Sequence, residues 1–261
     1  MNTLRCLPML ALLLCACGAG ASNYEVLYRV SLLPAEGEAR VEIRLKGERL
    51  PSRLTLHTDP GRHRDFSSDD PLEISEDTAV WRPKASPASL SYTFSIDHRK
   101  GNGAFDAMST GDWAVLRSDQ LVPPIAVKAP KGLQSRAELV LDLPRGWSAA
   151  VPYEPLDDNS LRYRLENPGR RFIQPRGWLI LGDISSRQDM VDGVHVRIAA
   201  PAGQDIRLLD ALAIIHWTLP NLKSNFPGFP PRLLVVSAGD PMWRGGLSAP
   251  NSLFSHGDRP L

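Results

Sequence analysis

Residues Gln204–Leu261 close the chain with QDIRLLDALAIIHWTLPNLKSNF, then PGFPPRLLVVSAGDP, then MWRGGLSAPNSLFSHGDRPL. In the first piece Leu208, Leu212, Ile215, Leu219, Leu222 and Phe226 recur at alternating intervals of four and three. That is the stripe of an amphipathic helix. Asp205 is the better N-cap for it. Pro220 lacks an N–H and predicts a kink or a restart, and the Pro-rich corner Phe226–Pro231 stops the helix. Leu233–Ser237 is a nearly unbroken apolar run, which suits a central strand buried on both faces. A helix followed by a doubly buried strand is not how a sandwich is built, so 203–261 reads as the opening of an incomplete α+β domain.

Working outward, the chain before this tail has a different period. In Tyr24–Leu33 the residues Val26, Tyr28, Val30 and Leu32 alternate with mostly polar neighbours. Ala39–Lys46 sets Val41, Ile43 and Leu45 against Arg40, Glu42, Arg44 and Lys46. Period two means a sheet with one dry and one wet face, and Pro34-Ala35-Glu36-Gly37 between them reads as a hairpin turn. Further strands are expected at 53–57, 79–82, 89–97, 113–116, 121–127, 137–143, 161–165, 178–183 and 191–200, with a turn at His98–Gly103. Roughly ten to thirteen short strands before residue 200 predict a mainly β fold, an antiparallel, saddle-like β-sandwich over 23–202.

The totals narrow the function. Thirty basic and 29 acidic residues leave a formal net charge of +1, which gives no clustered basic footprint for nucleic acid. With 23 prolines against 20 glycines, long continuous helices are disfavoured. All three cysteines, Cys6, Cys15 and Cys17, fall in the first seventeen residues, so the rest can hold neither a disulfide framework nor a cysteine metal site.

Residues 1–22 have the parts of a secretory leader. Arg5 supplies a positive start, and Leu7–Ala16 is an apolar run too short to span about 30 Å of hydrocarbon. Leu14-Cys15-Ala16-Cys17 resembles a bacterial lipobox, which makes Cys17 the lipidation candidate. Ala19-Gly20-Ala21 fits ordinary signal-peptide cleavage instead. Both readings export the mature chain, as a periplasmic protein or an outer-membrane-anchored lipoprotein held to the membrane by lipid.

Several clusters invite a site. Thr58–Asp70 gathers acids around His63, with His57 just before, and imidazole with carboxylate suits divalent metals. Their spacing converges on no single helix or strand, and Arg62 and Arg64 flank His63, so a solvated loop is expected. Trp147 and Trp178 with Arg170 and Arg171 suggest a sugar- or anion-binding platform, but tryptophans on strands are more often core, and Trp147 reads as a buried ring after a turn. Ser237 follows a strand without the G-x-S-x-G elbow of a serine hydrolase. His256 and Asp258 near Ser252 and Ser255 are neighbours in sequence, which does not by itself build a triad.

The order of the parts carries a resemblance. A sandwich with a Gly-Trp turn, a helix, Phe-Pro before a Leu-Val-Val strand, then Gly245-Gly246-Leu247-Ser248-Ala249-Pro250-Asn251-Ser252 is similar to zinc aminopeptidases. It most resembles the glycyl aminopeptidase family and, more distantly, the aminopeptidase N and leukotriene-A-hydrolase type. The resemblance implies a saddle-like β domain ahead of a thermolysin-like catalytic domain. It makes Gly245, Gly246, Leu247, Ser248 and Asn251 candidates for an exposed strand lining the substrate cleft. Glycine suits that role because a peptide backbone must approach closely.

Two departures bear on activity. Where the family has a glutamate after Gly-Gly-Leu, able to hold a substrate amine, this chain has Ser248. None of its six histidines belongs to an H-E-x-x-H motif, whereas a catalytic zinc needs about three protein ligands and an open position. The expectation is therefore no catalytic, metal or cofactor residue in this chain, with zinc only in a longer form. Its partners would be peptides or a catalytic domain supplied elsewhere. The competing expectation is a lipid-anchored β-sandwich interaction module with no enzymatic role.

Overall fold

The computed structural model describes residues 23–157 and 160–258. Cys17 and the rest of the leader lie outside them. The hairpin forms as its alternation requires: Asn23–Leu33 pairs antiparallel with Glu38–Lys46, Val26 opposite Leu45 and Val30 opposite Val41. Gly37 closes the turn at φ 67°, the left-handed conformation that favours glycine.

The hairpin sits near the middle of a seven-stranded sheet. Its spatial order is Glu154–Pro155, Arg162–Leu165, Gln134–Asp142, Asn23–Leu33, Glu38–Lys46, Ala88–Ser95 and His63–Ser67. The sandwich is not purely antiparallel, because Asn23–Leu33 runs parallel to Gln134–Asp142 along nine residue pairs. A four-stranded sheet (Ile125–Lys128, Arg53–His57, Thr78–Trp81, Leu72–Ile74) and a five-stranded one (Ser148–Ala150, Trp178–Gly182, Trp113–Arg117, Phe105–Ser109, His98–Arg99) accompany it. Tyr28, Ile43, Leu54, Trp81, Leu90 and Phe94 are fully buried in their shared core.

Three local expectations are corrected. Thr58–Asp70 is not a solvated loop, for His63–Ser67 is an edge strand on Ala88–Ser95. Arg62 and His63 are buried. Arg62 donates to the carbonyls of Ser95 (3.1 Å) and Ile96 (2.9 Å) and to Gln120 Oε1 (3.0 Å), and lies over the Phe94 ring. His63 Nδ1 accepts the Asp59 N–H at 3.1 Å and its Nε2 lies 2.9 Å from the Gln120 carbonyl. Burial pushes its pKa down, so it is held neutral. Within 121–127, Leu121 ends a short helix, Ser118–Leu121, and a strand resumes only at Ile125. His98–Arg99 pairs as a short strand inside the expected turn.

The tail forms a second five-stranded sheet, ordered Ile184–Val191, Val194–Pro201, Arg232–Ala238, Ser252–His256, Gly246–Ala249. Arg232–Ala238 is central and parallel to both neighbours, and its last five residues are buried. Because 184–201 hydrogen-bond into this sheet, a boundary at 202/203 runs through it. One face packs Ala199, Leu234, Val236, Ala238 and Phe254 on Trp113, Val115, Trp178 and Ile180 of the sandwich. The other buries Val194, Val196, Ile198 and Val235 under Leu208, Ile215 and Leu219 of the long helix Leu208–Asn225.

That helix starts three residues after Asp205, with Arg207 at the N-cap and no side-chain cap. It also continues through Pro220. Pro220 is exposed, so water can take the carbonyl its missing N–H leaves open, and no break follows. The stripe is only half covered: Leu222 is 45% and Phe226 61% exposed.

Candidate functional site

The uncovered half of the stripe faces the edge strand. The long helix lies over Ile184–Val191 and Val194–Pro201, and the same face of the sheet farther along, toward Ser252–His256 and Gly246–Ala249, is open. Between helix and edge strand runs a groove of about 1050 Å³, lined among others by Trp217, Leu222, Phe226, Leu247 and Leu253. Trp217 is 80% exposed. The lining is mainly apolar side chains.

Gly245, Gly246, Leu247 and Ser248 all line the groove. Gly246–Ala249 pairs on one side only, with Ser252–His256, so its other edge leaves backbone N–H and C=O groups free among the described residues. The strand is anchored from behind by the sandwich. Trp178 Nε1 donates to the Leu247 carbonyl at 2.9 Å, and the Trp178 N–H donates to Ser252 Oγ at 2.8 Å. Gly177 precedes that tryptophan at φ 110°, and a Cβ there would lie 2.6 Å from the Pro250 carbonyl oxygen. Gly177-Trp178 and the glycine pair are thus parts of one assembly, whereas the Gly146-Trp147 turn packs on the sandwich core.

Asn251 does not join the groove. It sits at the tip of the hairpin with φ 54°, and its carbonyl accepts the Leu234 N–H at 2.9 Å. Asparagine tolerates that left-handed turn position, so its part is structural. Ser248 is exposed, and its hydroxyl makes no hydrogen bond among the described residues.

The hydrolase alternative fails on geometry. Ser237 Oγ donates to the Ser255 carbonyl at 2.9 Å, and Ser252 Oγ is taken by Trp178 and by the Pro250 carbonyl. His256 is fully buried, with the Asp258 N–H donating to its Nδ1 at 3.2 Å and Asp240 Oδ1 3.4 Å from its Nε2. Asp240 is itself forked by Arg244, which holds its carboxyl below the usual range. No serine hydroxyl bonds the imidazole among the described residues. The tryptophan–arginine platform does not assemble either: Trp178 is core, Trp147 is half-buried against the sandwich core, and Arg170 and Arg171 are exposed in their turn.

Among the described residues no three His, Cys, Asp or Glu side chains converge to hold a metal ion.

Comparison with solved structures finds this fold in aminopeptidases. An aminopeptidase N family protein from Idiomarina loihiensis superposes with a TM-score of 0.66 at 13% identity, over 88% of this chain and 42% of that one. Native yeast LTA4 hydrolase gives 0.54 at 10% identity, over 91% and 40%. An M1 zinc metallopeptidase from Deinococcus radiodurans gives 0.50 at 14%, over 90% and 59%. At such identities the likeness is one of fold: the chain has the β-rich architecture of part of these proteins and spans 40–59% of their length. No family model and no curated protein matches the sequence.

Proposed function

We propose that this chain is the non-catalytic N-terminal region of an exported zinc aminopeptidase-like protein, and that Gly246–Ala249 is the strand along which a peptide would lie. The observation that carries the reading is the open edge of that strand beside an apolar groove, with the glycine pair at its start. An extended peptide adds to such an edge by main-chain hydrogen bonds, while pockets beside it take alternate side chains. Peptide hydrolysis enters only if a longer form supplies H-E-x-x-H together with its metal. The leader supports export, with Cys17 as the lipid-bearing residue if the lipobox is used.

Ser248 favours a second reading. A neutral hydroxyl can accept a hydrogen bond from a peptide amine but cannot form the ion pair a glutamate would. That is the behaviour of a lipid-anchored module that holds peptides without cleaving them.

The test is direct. The transcript is read past codon 261, and the 261-residue protein is assayed beside any longer product for zinc content and release of N-terminal amino acids. The expected outcome is an in-frame H-E-x-x-H and activity confined to the longer form. One tightly held zinc and aminopeptidase activity in the 261-residue chain would refute the proposal. A transcript without the motif would leave the binding module.

A further inference from the structure

On the sandwich side of the tail sheet, opposite the long helix, the apolar packing gives way to basic side chains. His195 and Arg197 project from Val194–Pro201 on the face opposite Val194, Val196 and Ile198. Arg232 is the register partner of His195 on the neighbouring strand. Arg197 and Arg232 are thus like charges diagonal to each other on one sheet face, which is unfavourable, and with His195 they line a cavity of about 480 Å³ between the sheet and described residues of the sandwich from Ser148 to Tyr163.

Among the described residues acidic compensation is thin. Arg197 donates to the Ala149 carbonyl at 3.0 Å and to Ser186 Oγ at 3.3 Å, both neutral acceptors. Its Nε is buried and has no partner among the described residues. A guanidinium has five N–H donors, and a buried cation without a counter-charge is costly. Among the described residues the acidic partner of Arg232 is an exposed Glu154 oxygen at 3.9 Å, and Glu154 is shared with Arg164 at 3.5 Å. Asp157 is exposed at the rim. Burial lowers the pKa of Arg197, while burial and then the Arg232 charge lower that of His195, so these groups gain no net relief from their surroundings. Tyr163 lines the same cavity, and its hydroxyl makes no hydrogen bond among the described residues. The remaining wall includes Pro152 and Leu161.

We propose that His195, Arg197, Arg232 and the Tyr163 hydroxyl form a binding site for a small organic anion, its carboxylate or phosphate group between the guanidinium groups and its apolar body against Pro152 and Leu161. Arginine forks match both oxyanions bidentately. The site lies on the other face of the sheet from the peptide groove and does not depend on the function proposed for that groove.

The test is isothermal titration of the purified chain with benzoate, with inorganic phosphate and with neutral benzamide. Saturable binding of an anion, absent with benzamide and weakened at least about tenfold by Arg197→Gln and by Arg232→Gln, is expected. Arg232→Lys should keep more of it than Arg232→Gln. Arg197 also ties the sheet to Ala149 of the sandwich and bonds Ser186 on the neighbouring strand, so thermal unfolding checks that variant. If it does not fold, Arg232→Gln and Tyr163→Phe carry the test. Benzoate bound more tightly than phosphate assigns the site to carboxylates with an apolar body. Phosphate bound alone assigns it to phosphate and overturns the role of the apolar wall. No saturable binding of either anion, or binding unchanged in Arg232→Gln and Tyr163→Phe, overturns the site.

Discussion

A Cβ built on Gly245 falls 2.3 Å from the Trp243 ring, while one on Gly246 meets only the Phe254 carbonyl oxygen at 3.5 Å. The two glycines therefore answer to different demands. Gly245 is needed because an indole packs on its Cα. Gly246 has room for a side chain, so a requirement for glycine there would come from whatever lies along the strand. Gly245→Ala is expected to lower stability by about 1–3 kcal/mol through forced displacement of the ring, and Gly246→Ala to stay within about 0.5 kcal/mol. Urea unfolding with unchanged m-values reads both. Equal losses would remove the distinction, and a peptide ligand weakened by Gly246→Ala at unchanged stability would place the peptide on this strand.

For the long helix the same logic runs through burial. Leu219 is 1% exposed against the sheet, whereas Trp217 on the next face is 80% exposed. Leu219→Ala should cost about 2–5 kcal/mol as a cavity opens under the helix. The exposed end of the stripe is expected to make the isolated chain self-associate; Trp217→Ser should leave stability within about 0.5 kcal/mol and reduce that association, which sedimentation across a concentration series measures. If Trp217→Ser associates as the parent does, the groove is not the sticking surface.

This helix was legible in the sequence because its period is local, as was the doubly buried Leu233–Ser237. That the stripe would be covered only as far as Leu219 was not, since it depends on which strands lie beneath. His63–Ser67 is not legible as a strand for a related reason. Arg62 and His63 look like surface residues until Ser95, Ile96 and Gln120, more than thirty positions away, supply their hydrogen bonds. The parallel pairing of Asn23–Leu33 with Gln134–Asp142 left no local mark either, because alternation specifies a strand but not its partner. At the site, the glycine pair was legible as a strand start, whereas the cationic cavity, assembled from three distant segments, was not.

At the scale of the molecule, composition suggests a division that hydrogen bonding does not respect. Period-two strands end near residue 200 and helical periodicity begins at Leu208, so 202/203 looks like a seam. Yet Val194–Pro201 takes its parallel neighbour from Arg232–Ala238, and Val194, Val196 and Ile198 are covered by the helix beyond the seam. Ending the chain at residue 202 removes both. What remains is an edge strand eight residues long, apolar on the face the helix covered, the kind of edge through which sheets aggregate. It also strips Leu234, Val236 and Phe254 from Trp113 and Trp178, leaving the back of the sandwich wet. Residues 23–202 are therefore expected to be insoluble, or to lack a cooperative unfolding transition, while 23–258 unfolds cooperatively. Soluble yield, near-UV circular dichroism and thermal melts compare the two. A monomeric 23–202 fragment melting as sharply as 23–258 would mean that the sandwich carries its own stability and that the tail sheet is an appendage rather than a wall of the core.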